Sequence, residues 1–167
     1  MARSEATESG PADPRWLNDE ERAAWLGVMA IILKLPAALD SQLTRSAKLT
    51  LFEYLLLARL SEAPGLRLRM STLATLTNGS LSRLSHVAER LETRGLLYRE
   101  RDPENGRYMM AVLTPAGREL VIKAAPGHVQ TVRELLIDAL TPDQLRALEG
   151  AGANVLGKLD SGRGWPV

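Results

Sequence analysis

The sequence predicts a mostly α-helical fold with one small β-hairpin. Two observations support this prediction: apolar residues recur at helical spacing along most of the chain, and one pair of short strand-like segments flanks a dense turn cluster, residues 102–106. The chain has 167 residues, of which 45% are hydrophobic and 25% charged. This size and composition indicate one globular domain with a substantial core.

The N-terminal part contains two predicted helices. The first covers residues 18–46, and Asn18 is its expected N-cap. Pro36 has no backbone N–H, so we expect it to end or kink this helix. The second helix begins at Thr50, where Glu53 three residues later completes the pattern of a capping box. Its apolar residues cover nearly all sides, which indicates a central, buried helix.

A helix-turn-helix pattern follows. A short helix is predicted over residues 70–76, with Ser71 as a possible cap, and a longer one over residues 80–94. The turn residues Asn78 and Gly79 separate the two helices. Two short strands then form the predicted hairpin, and this order of elements is that of a winged helix-turn-helix.

The predicted winged helix-turn-helix covers about residues 50–113, with its strands at residues 96–101 and 108–113. It coincides with a basic segment. Residues 66–107 contain eight arginines and five acidic residues, a balance of +3, whereas the whole chain has a net charge of +1. A locally basic surface in a neutral chain indicates contact with nucleic acid.

The C-terminal part is predicted to be helical again. Thr114 is the expected cap of a helix with Pro115 at its first position. We expect a break near Pro126 and Gly127, because proline disrupts a helix interior. A last helix begins at a second capping pattern, which starts at Thr141.

The predicted helix over residues 80–94 has one apolar face and one polar face. We expect the polar face to lie outward, where Arg can pair with guanine through two hydrogen bonds and Ser can bind bases or phosphates. The hairpin adds arginines that suit the narrow minor groove and the phosphates. The candidate DNA-binding residues are Ser82, Arg83, Ser85, His86, Arg90, Arg99, Arg101 and Arg107.

Five segments also form an ordered set, namely residues 73–74, 80–84, 90–97, 102–107 and 113–118. Together they resemble the MarR family of bacterial transcription regulators, from about residue 20 to residue 160. The resemblance implies a symmetric dimer whose N- and C-terminal helices, about residues 18–46 and 115–160, form the dimer domain. Each subunit would then present one winged helix to a near-palindromic operator in double-stranded DNA.

The resemblance also assigns individual positions. The wing arginine of the family corresponds to Arg107, and its groove-reading positions correspond to Ser82, Arg83, Ser85 and His86. One position departs from the family pattern. The family commonly has an Asp two residues before the wing arginine, and Asn105 occupies this place here. Either Glu104 or Asp102 is then left to orient the arginine.

The resulting hypothesis is a sequence-specific, homodimeric DNA-binding repressor that a small aromatic or phenolic ligand releases or modulates. The alternative is a protein-interaction module of the anti-repressor type, without sequence-specific DNA binding. Packing within one chain is the alternative to a dimer, and plain core packing is the alternative to ligand binding. The candidate ligand-binding residues are Trp25, Tyr54, Arg59 and His128.

The residue inventory argues against other classes of protein. The absence of cysteine excludes disulfides and thiol catalysis, and the two histidines, His86 and His128, are far apart in sequence. We find no nucleophile elbow and no phosphate-binding glycine loop. We therefore expect no enzyme, no metal and no cofactor. No uninterrupted apolar run is long enough to span a bilayer. We expect a cytoplasmic protein with one domain, residues 18–160, between flexible tails, residues 1–17 and 161–167.

Overall fold

Six α-helices and three short strands form the part of the chain that the computed structural model describes, residues 14–159. Their order confirms the predicted, mostly α-helical winged helix-turn-helix. Of the predicted tails, residues 1–13 and 161–167 lie outside the described residues. The helices are Asp19–Ala47 (α1), Leu51–Glu62 (α2), Met70–Leu76 (α3), Leu81–Thr93 (α4), Pro115–Val132 (α5) and Pro142–Leu159 (α6), and the strands are Arg67–Arg69 (β1), Leu97–Arg101 (β2) and Met109–Leu113 (β3).

The first helix, α1, passes through Pro36, so of the two effects expected of this proline, ending or kinking the helix, the first is wrong. The residues after Pro36 are fixed by tertiary contacts. Leu43 is fully buried, and Asp40 Oδ1 accepts a hydrogen bond of 2.7 Å from the backbone N–H of Leu51. These contacts hold the second half of the helix in place and outweigh the backbone hydrogen bond that the proline removes.

The described residues divide into two compact units, with the boundary between Lys34 and Leu35 inside α1. In the N-terminal unit, Asn18 and Glu21 form a reciprocal cap, because each side chain accepts a hydrogen bond from the backbone N–H of the other, at 2.8 and 2.9 Å. Most large apolar side chains of this unit are exposed, and Trp25 is 52% exposed. Among the described helices, α1 alone is long and apolar enough to cross a membrane by length and composition, with a mean hydropathy of 1.6 over 18 residues. Lys34 interrupts its apolar run.

The core of the C-terminal unit surrounds α2. The predicted capping box is present: Thr50 Oγ1 accepts from the N–H of Glu53 at 3.2 Å, and Glu53 Oε2 accepts from the N–H of Thr50 at 2.8 Å. The helix contacts α3, α5 and β3. It therefore lies centrally, and its fully buried residues are Leu56, Leu57 and Leu60.

The sheet has three antiparallel strands in the order β1-β3-β2, whereas the sequence predicts only the hairpin of β2 and β3. The additional strand, β1, pairs Arg67 with Val112 and Arg69 with Met110. An isolated Arg-Leu-Arg segment is too short to show the alternation by which strands are recognised, which typically extends over about 4–8 residues. The pairing with β3 gives this segment its extended conformation.

The turn between α3 and α4 uses its two central residues differently. Asn78 adopts a left-handed conformation with φ of 48°. Gly79 is needed for close packing, because a Cβ atom there would lie 3.0 Å from Cζ of Phe52. Ser80 then caps α4 as predicted, and its Oγ accepts a hydrogen bond of 3.2 Å from the N–H of Arg83.

One predicted cap is wrong. Ser71 lies inside α3, and the residue that precedes this helix is Arg69, whose side chain makes no capping hydrogen bond. The strand β1 ends at Arg69 and continues directly into the helix at Met70. The sheet therefore sets the start of α3.

The helix α5 continues through Pro126, and the break expected there is wrong. Ala124 is buried just before the proline, and the ring of His128 packs against Tyr54 just after it, with the ring centroids 4.6 Å apart. Packing on both sides compensates for the lost hydrogen bond. The chain then widens into a π-helical turn, Arg133–Ile137, before α6.

The last helix, α6, begins at the predicted capping box, in which Thr141 and Gln144 exchange hydrogen bonds of 2.9 and 3.3 Å. None of its residues is buried among the described residues. Leu148, Val155 and Leu159 are among the exposed large apolar side chains of the protein.

Gly117 provides a test of the packing between α5 and the sheet. A Cβ at this position would lie 2.0 Å from the carbonyl oxygen of Leu96 and 2.8 Å from Cδ1 of Leu113. We predict that Gly117→Ala lowers the free energy of unfolding by about 1–3 kcal/mol, because backbone atoms must move to admit the methyl group. Urea unfolding followed by circular dichroism measures this change. Gly157→Ala in α6 is the matched control, since no atom outside its chain neighbours and the nearby backbone of its own helix lies within 4 Å of the added Cβ. Equal effects of the two substitutions would contradict the packing described here.

Candidate nucleic-acid interface

The helix α4 presents one polar face to solvent because its other face is anchored in the core. The anchoring residues are Leu84, Val87, Ala88 and Leu91, all buried. Their spacing leaves the predicted contact residues Ser82, Arg83, His86 and Arg90 exposed and Ser85 half-buried. The helix can therefore offer hydroxyl, imidazole and guanidinium groups to a partner without giving up any core contact.

Arg83 is held by an aromatic contact. Its guanidinium carbon lies 4.5 Å from the centroid of the Phe52 ring, a cation–π distance. The ring belongs to the first turn of α2 and packs against the turn at Gly79. The described residues place no carboxylate within 4.0 Å of this guanidinium, so its N–H groups are available.

Arg90 is engaged in a different way. Its Nη2 lies 3.2 Å from Oε1 of Glu53, a buried carboxylate that also caps α2. Nη1 of Arg94 lies 3.9 Å from the other oxygen of the same carboxylate. These ion pairs join α4 to the start of α2. The charge of Arg90 is thus partly compensated, although its side chain is still more than half exposed.

The exposed face of α4 borders two open grooves. The larger, of about 560 Å³, lies between α4 and the segment from α1 to α2, and the smaller, of about 280 Å³, lies between α4 and the hairpin. The larger groove is lined by Asp40, Thr50, Phe52, Ser80, Ser82, Arg83, His86, Val87 and Arg90. The smaller is lined by Met70, Ser71, Leu81, Ser85, Arg99, Arg107, Tyr108 and Met109. The structure thus brings seven of the eight predicted contact residues into two adjacent grooves.

In the hairpin, Arg99 is bound to Glu92 of α4. Its Nε and Nη2 donate to Oε2 of Glu92 at 2.9 and 2.7 Å, and its backbone N–H donates to Oε1 at 2.9 Å. The backbone hydrogen bond, followed by the guanidinium, lowers the pKa of Glu92. Arg99 therefore fastens the hairpin to α4, and the Nε and Nη2 groups of its guanidinium are already engaged there.

The tip of the hairpin presents Arg107. Its side chain is exposed, and its backbone N–H donates to Oδ1 of Asn105 at 3.2 Å. The side chain of Arg101 donates to the carbonyl oxygen of Gly106 at 2.9 Å. Asn105 thus shapes the turn through a backbone contact, in the position where the family pattern has an Asp.

Sequence reasoning left open whether Asp102 orients the wing arginine. The structure gives this carboxylate another partner: Oδ2 of Asp102 accepts from Nε of Arg69 at 3.2 Å and lies 3.1 Å from its Nη2. The guanidinium of Arg69 also stacks on Tyr108, 4.3 Å from the ring centroid. The hydrogen bond from the N–H of Glu104, followed by Arg69, lowers the pKa of Asp102. Sequence analysis missed Arg69 because β1 was not predicted.

The candidate ligand residues do not form one described site. Tyr54 and His128 pack together, and burial raises the pKa of Tyr54 and lowers that of His128. Arg59 pairs with Glu62 at 3.2 Å. Trp25 lies in the N-terminal unit.

Among residues 14–159, no cluster of three or more acidic or histidine side chains has the arrangement of a metal site.

Known proteins share the sequence pattern and the fold of this winged-helix protein. The model of the MarR family matches residues 49–108. Sco3205, a MarR family transcriptional regulator from Streptomyces coelicolor solved in complex with DNA, is 40% identical, with a TM-score of 0.85 over 89% of this chain and 93% of that one. AbsC, a MarR family transcriptional regulator from the same organism, is also 40% identical, with a TM-score of 0.85 over 89% and 99%.

A more distant structure shares the fold. BpsR of Bordetella bronchiseptica, whose DNA binding is regulated by 6-hydroxynicotinic acid, is 23% identical, with a TM-score of 0.71 over 87% of this chain and 97% of that one. No curated protein sequence matches the chain. The fold and the arginine-lined helix and hairpin define a winged helix-turn-helix protein of the kind that regulates transcription. The chain belongs to the MarR family.

The lowered pKa of Asp102, which the hydrogen bond from the N–H of Glu104 and then the contact with Arg69 produce, predicts an effect of pH on stability. A carboxylate with a lowered pKa stabilises the fold at a pH above its ordinary value, about 3.9, and this contribution disappears as the pH falls through the folded-state pKa. We predict that Asp102→Asn is less stable than the wild type at pH 7 and that the difference shrinks as the pH falls from about 4 to 3. Urea unfolding over this pH range measures it. A difference that stays constant between pH 7 and pH 3 would contradict the assigned role of the ion pair.

Proposed function

We propose that the protein is a homodimeric transcription repressor that recognises a near-palindromic DNA operator with α4 and grips the neighbouring DNA with its hairpin. The observation that supports this most directly is the polar face of α4, with its two arginine-lined grooves between rigidly packed elements. A relative with 40% identity that was solved in complex with DNA supports the same partner. Repression and a cytoplasmic location are part of the proposal.

In this proposal, the exposed residues of α4 read base edges in the major groove, where each base pair presents a distinct pattern of donors and acceptors. Arg107 enters the minor groove beside the hairpin. Arg90, Arg99 and Arg101 contribute positive charge near the phosphates, while their hydrogen bonds hold α4 and the hairpin in register. The residues proposed to read bases are Ser82, Arg83, Ser85 and His86.

We propose that a second copy of the chain covers the apolar surfaces of the terminal helices. Trp25, Ile32 and Leu33 of α1 are each more than half exposed, as are Val155 and Leu159 of α6. Helices with such unburied apolar surfaces require a partner, and a twofold dimer is the commonest solution among soluble proteins. The apolar exposure of α1, which also gives it the composition of a membrane span, is thereby explained without a membrane.

The alternative, a winged helix that binds a protein partner, predicts a different dependence on salt. Contacts to DNA phosphates release counterions, so the affinity falls steeply between about 50 and 200 mM salt. Docking between two proteins through apolar surfaces releases few counterions, so its affinity depends much less on salt. The arginines around α4 and the hairpin favour the DNA partner.

The sharpest mutational test compares Arg83→Ala with Arg107→Ala. The operator probe is a duplex from the DNA upstream of the protein's own gene that the wild type binds. We predict that Arg83→Ala weakens binding by about 1–3 kcal/mol and relaxes base preference at one position, because a bidentate base contact is lost. Arg107→Ala is expected to weaken binding to many sequences alike. Fluorescence anisotropy with the operator and with single-base variants separates the two patterns.

Arg146→Ala, in α6, is the matched control for this comparison, because it also removes one exposed arginine. It is expected to leave DNA affinity nearly unchanged. If Arg83→Ala binds the operator as tightly as the wild type does, the assignment of α4 as the reading helix is wrong.

A second function, ligand control of DNA binding, is supported by two buried polar atoms. Within the described part of the chain, Oε1 of Gln42 and Nδ1 of His128 are buried and have no hydrogen-bond partner. Buried polar atoms without partners are rare in proteins. We propose that a small phenolic ligand satisfies at least one of them and stacks near the ring of Tyr54. Gln42 was not identified from the sequence, since only the folded structure shows that its side-chain oxygen is buried without a partner.

The test of ligand binding uses salicylate and 4-hydroxybenzoate as probes. We predict that at least one of them raises the melting temperature of the wild type and changes its affinity for the operator. At least one of the variants His128→Leu and Gln42→Leu is expected to reduce both responses, because the ligand is proposed to satisfy at least one of the two unpartnered atoms. A thermal shift that persists unchanged in both variants, or no shift with either probe, would contradict this site.

A further inference from the structure

Phe52 lies where three elements of the DNA-binding unit meet. Phe52 lies in the first turn of α2. Its ring packs against the turn before α4 at Gly79 and lies 4.5 Å from the guanidinium carbon of Arg83. The ring is half-buried and also packs against the hydrophobic core. It therefore has a fixed position, and Arg83 is the charged group that it contacts.

We propose that Phe52 is a specificity-determining positioning residue, which holds the Arg83 guanidinium in the orientation that reads a base. This inference rests on the proposed function. Phe52, a residue of α2, would thus have a role in DNA recognition although it contacts no base itself. The aromatic ring acts through Arg83 and contributes no hydrogen bond of its own.

Arg83 can contact the ring of Phe52 and bind a base at the same time. Stacking on an aromatic ring occupies the flat face of a guanidinium, whereas pairing with O6 and N7 of guanine uses the N–H groups at its edge. Arg83 can therefore remain on the ring while it binds a base. Arg99 is a contrasting case, because its edge already donates to Glu92.

The contact also reduces the entropic cost of recognition. A free arginine side chain has many rotamers, and binding a base in a bidentate manner selects very few of them. In this structure the backbone N–H of Arg83 is fixed by Ser80 Oγ and the guanidinium by the ring of Phe52. Both ends of the side chain are thus restrained before DNA arrives.

The composition of the chain allows a clean test. Phe52 is the only phenylalanine among the 167 residues. Global replacement of phenylalanine by 3,5-difluorophenylalanine therefore changes position 52 alone. The two fluorines withdraw electron density from the ring face and weaken its attraction for a cation, while the volume of the ring stays nearly the same. Phe52→Leu removes the aromatic face altogether.

The experiment is a double-mutant cycle on the operator duplex, measured by fluorescence anisotropy. We expect Phe52→Leu to weaken operator binding about two- to fivefold, the range of an exposed cation–π contact, and the difluorinated protein about twofold. Both proteins are expected to discriminate less between the operator and the single-base variant that Arg83 distinguishes. In the Arg83→Ala background, neither change at position 52 is expected to have a further effect.

Several outcomes would overturn the proposal. One is unchanged affinity and base discrimination in the difluorinated protein and in Phe52→Leu. Another is an equal loss with and without Arg83, which would indicate a purely structural role. Tighter binding in the difluorinated protein would mean that the ring holds Arg83 away from DNA. If Phe52→Leu fails to fold, the difluorinated protein decides, and its melting temperature is compared with that of the wild type.

The proposed function and the positioning role of Phe52 fail in distinguishable ways. If Arg83→Ala itself leaves operator binding unchanged, the proposed reading role of α4 fails. If Arg83→Ala weakens binding but the changes at Phe52 do not, only the positioning role fails. The ¹⁹F resonance of the difluorinated ring adds a direct reading, because it is expected to shift when Arg83 is replaced by Ala and to change little when DNA is added.

Discussion

Glu53 has a nearly buried carboxylate that serves α2 and α4 together. It completes the cap of α2 through the N–H of Thr50, and it faces Arg90 and Arg94 of α4 at 3.2 and 3.9 Å. A buried charge is stable only with partners of this kind, and removing one of them leaves the charge uncompensated. The placement of α4 against the core therefore depends on this carboxylate, and so does the set of side chains that α4 turns outward.

The arginines around α4 form two groups that differ in what their N–H groups already bind. Arg90 and Arg99 donate to carboxylates within the fold and hold α4 and the hairpin in place. Arg83 and Arg107 have no carboxylate within 4.0 Å among the described residues, so their charge is available to a partner. The basic segment thus contains arginines that hold the fold together and arginines that are available to a partner. The net charge of the segment does not distinguish between these two groups.

Local signals in the sequence were sufficient for every predicted helix cap except Ser71, for the order of the helices and the hairpin, and for the outward face of α4, because each depends on residues a few positions apart. Long-range packing decided the rest. Pro36 and Pro126 lie inside continuous helices, since a buried side chain near each proline holds the backbone, Leu43 after Pro36 and Ala124 before Pro126. The contact between Arg69 and Asp102 joins residues 33 positions apart, through a strand too short to predict. Likewise, the hydrogen bond from Arg99 to Glu92 forms only because the hairpin folds against α4.

The central claim is that α4 and the hairpin, presented by a twofold dimer, recognise one DNA sequence. The most direct test is fluorescence anisotropy of the wild-type protein with a duplex from its own upstream region and with a scrambled duplex, at about 50 and 200 mM salt. We predict saturation at two chains per duplex, preference for the upstream duplex, and a steep loss of affinity at the higher salt concentration. Absence of binding at the lower salt concentration, or equal binding to both duplexes, would contradict it.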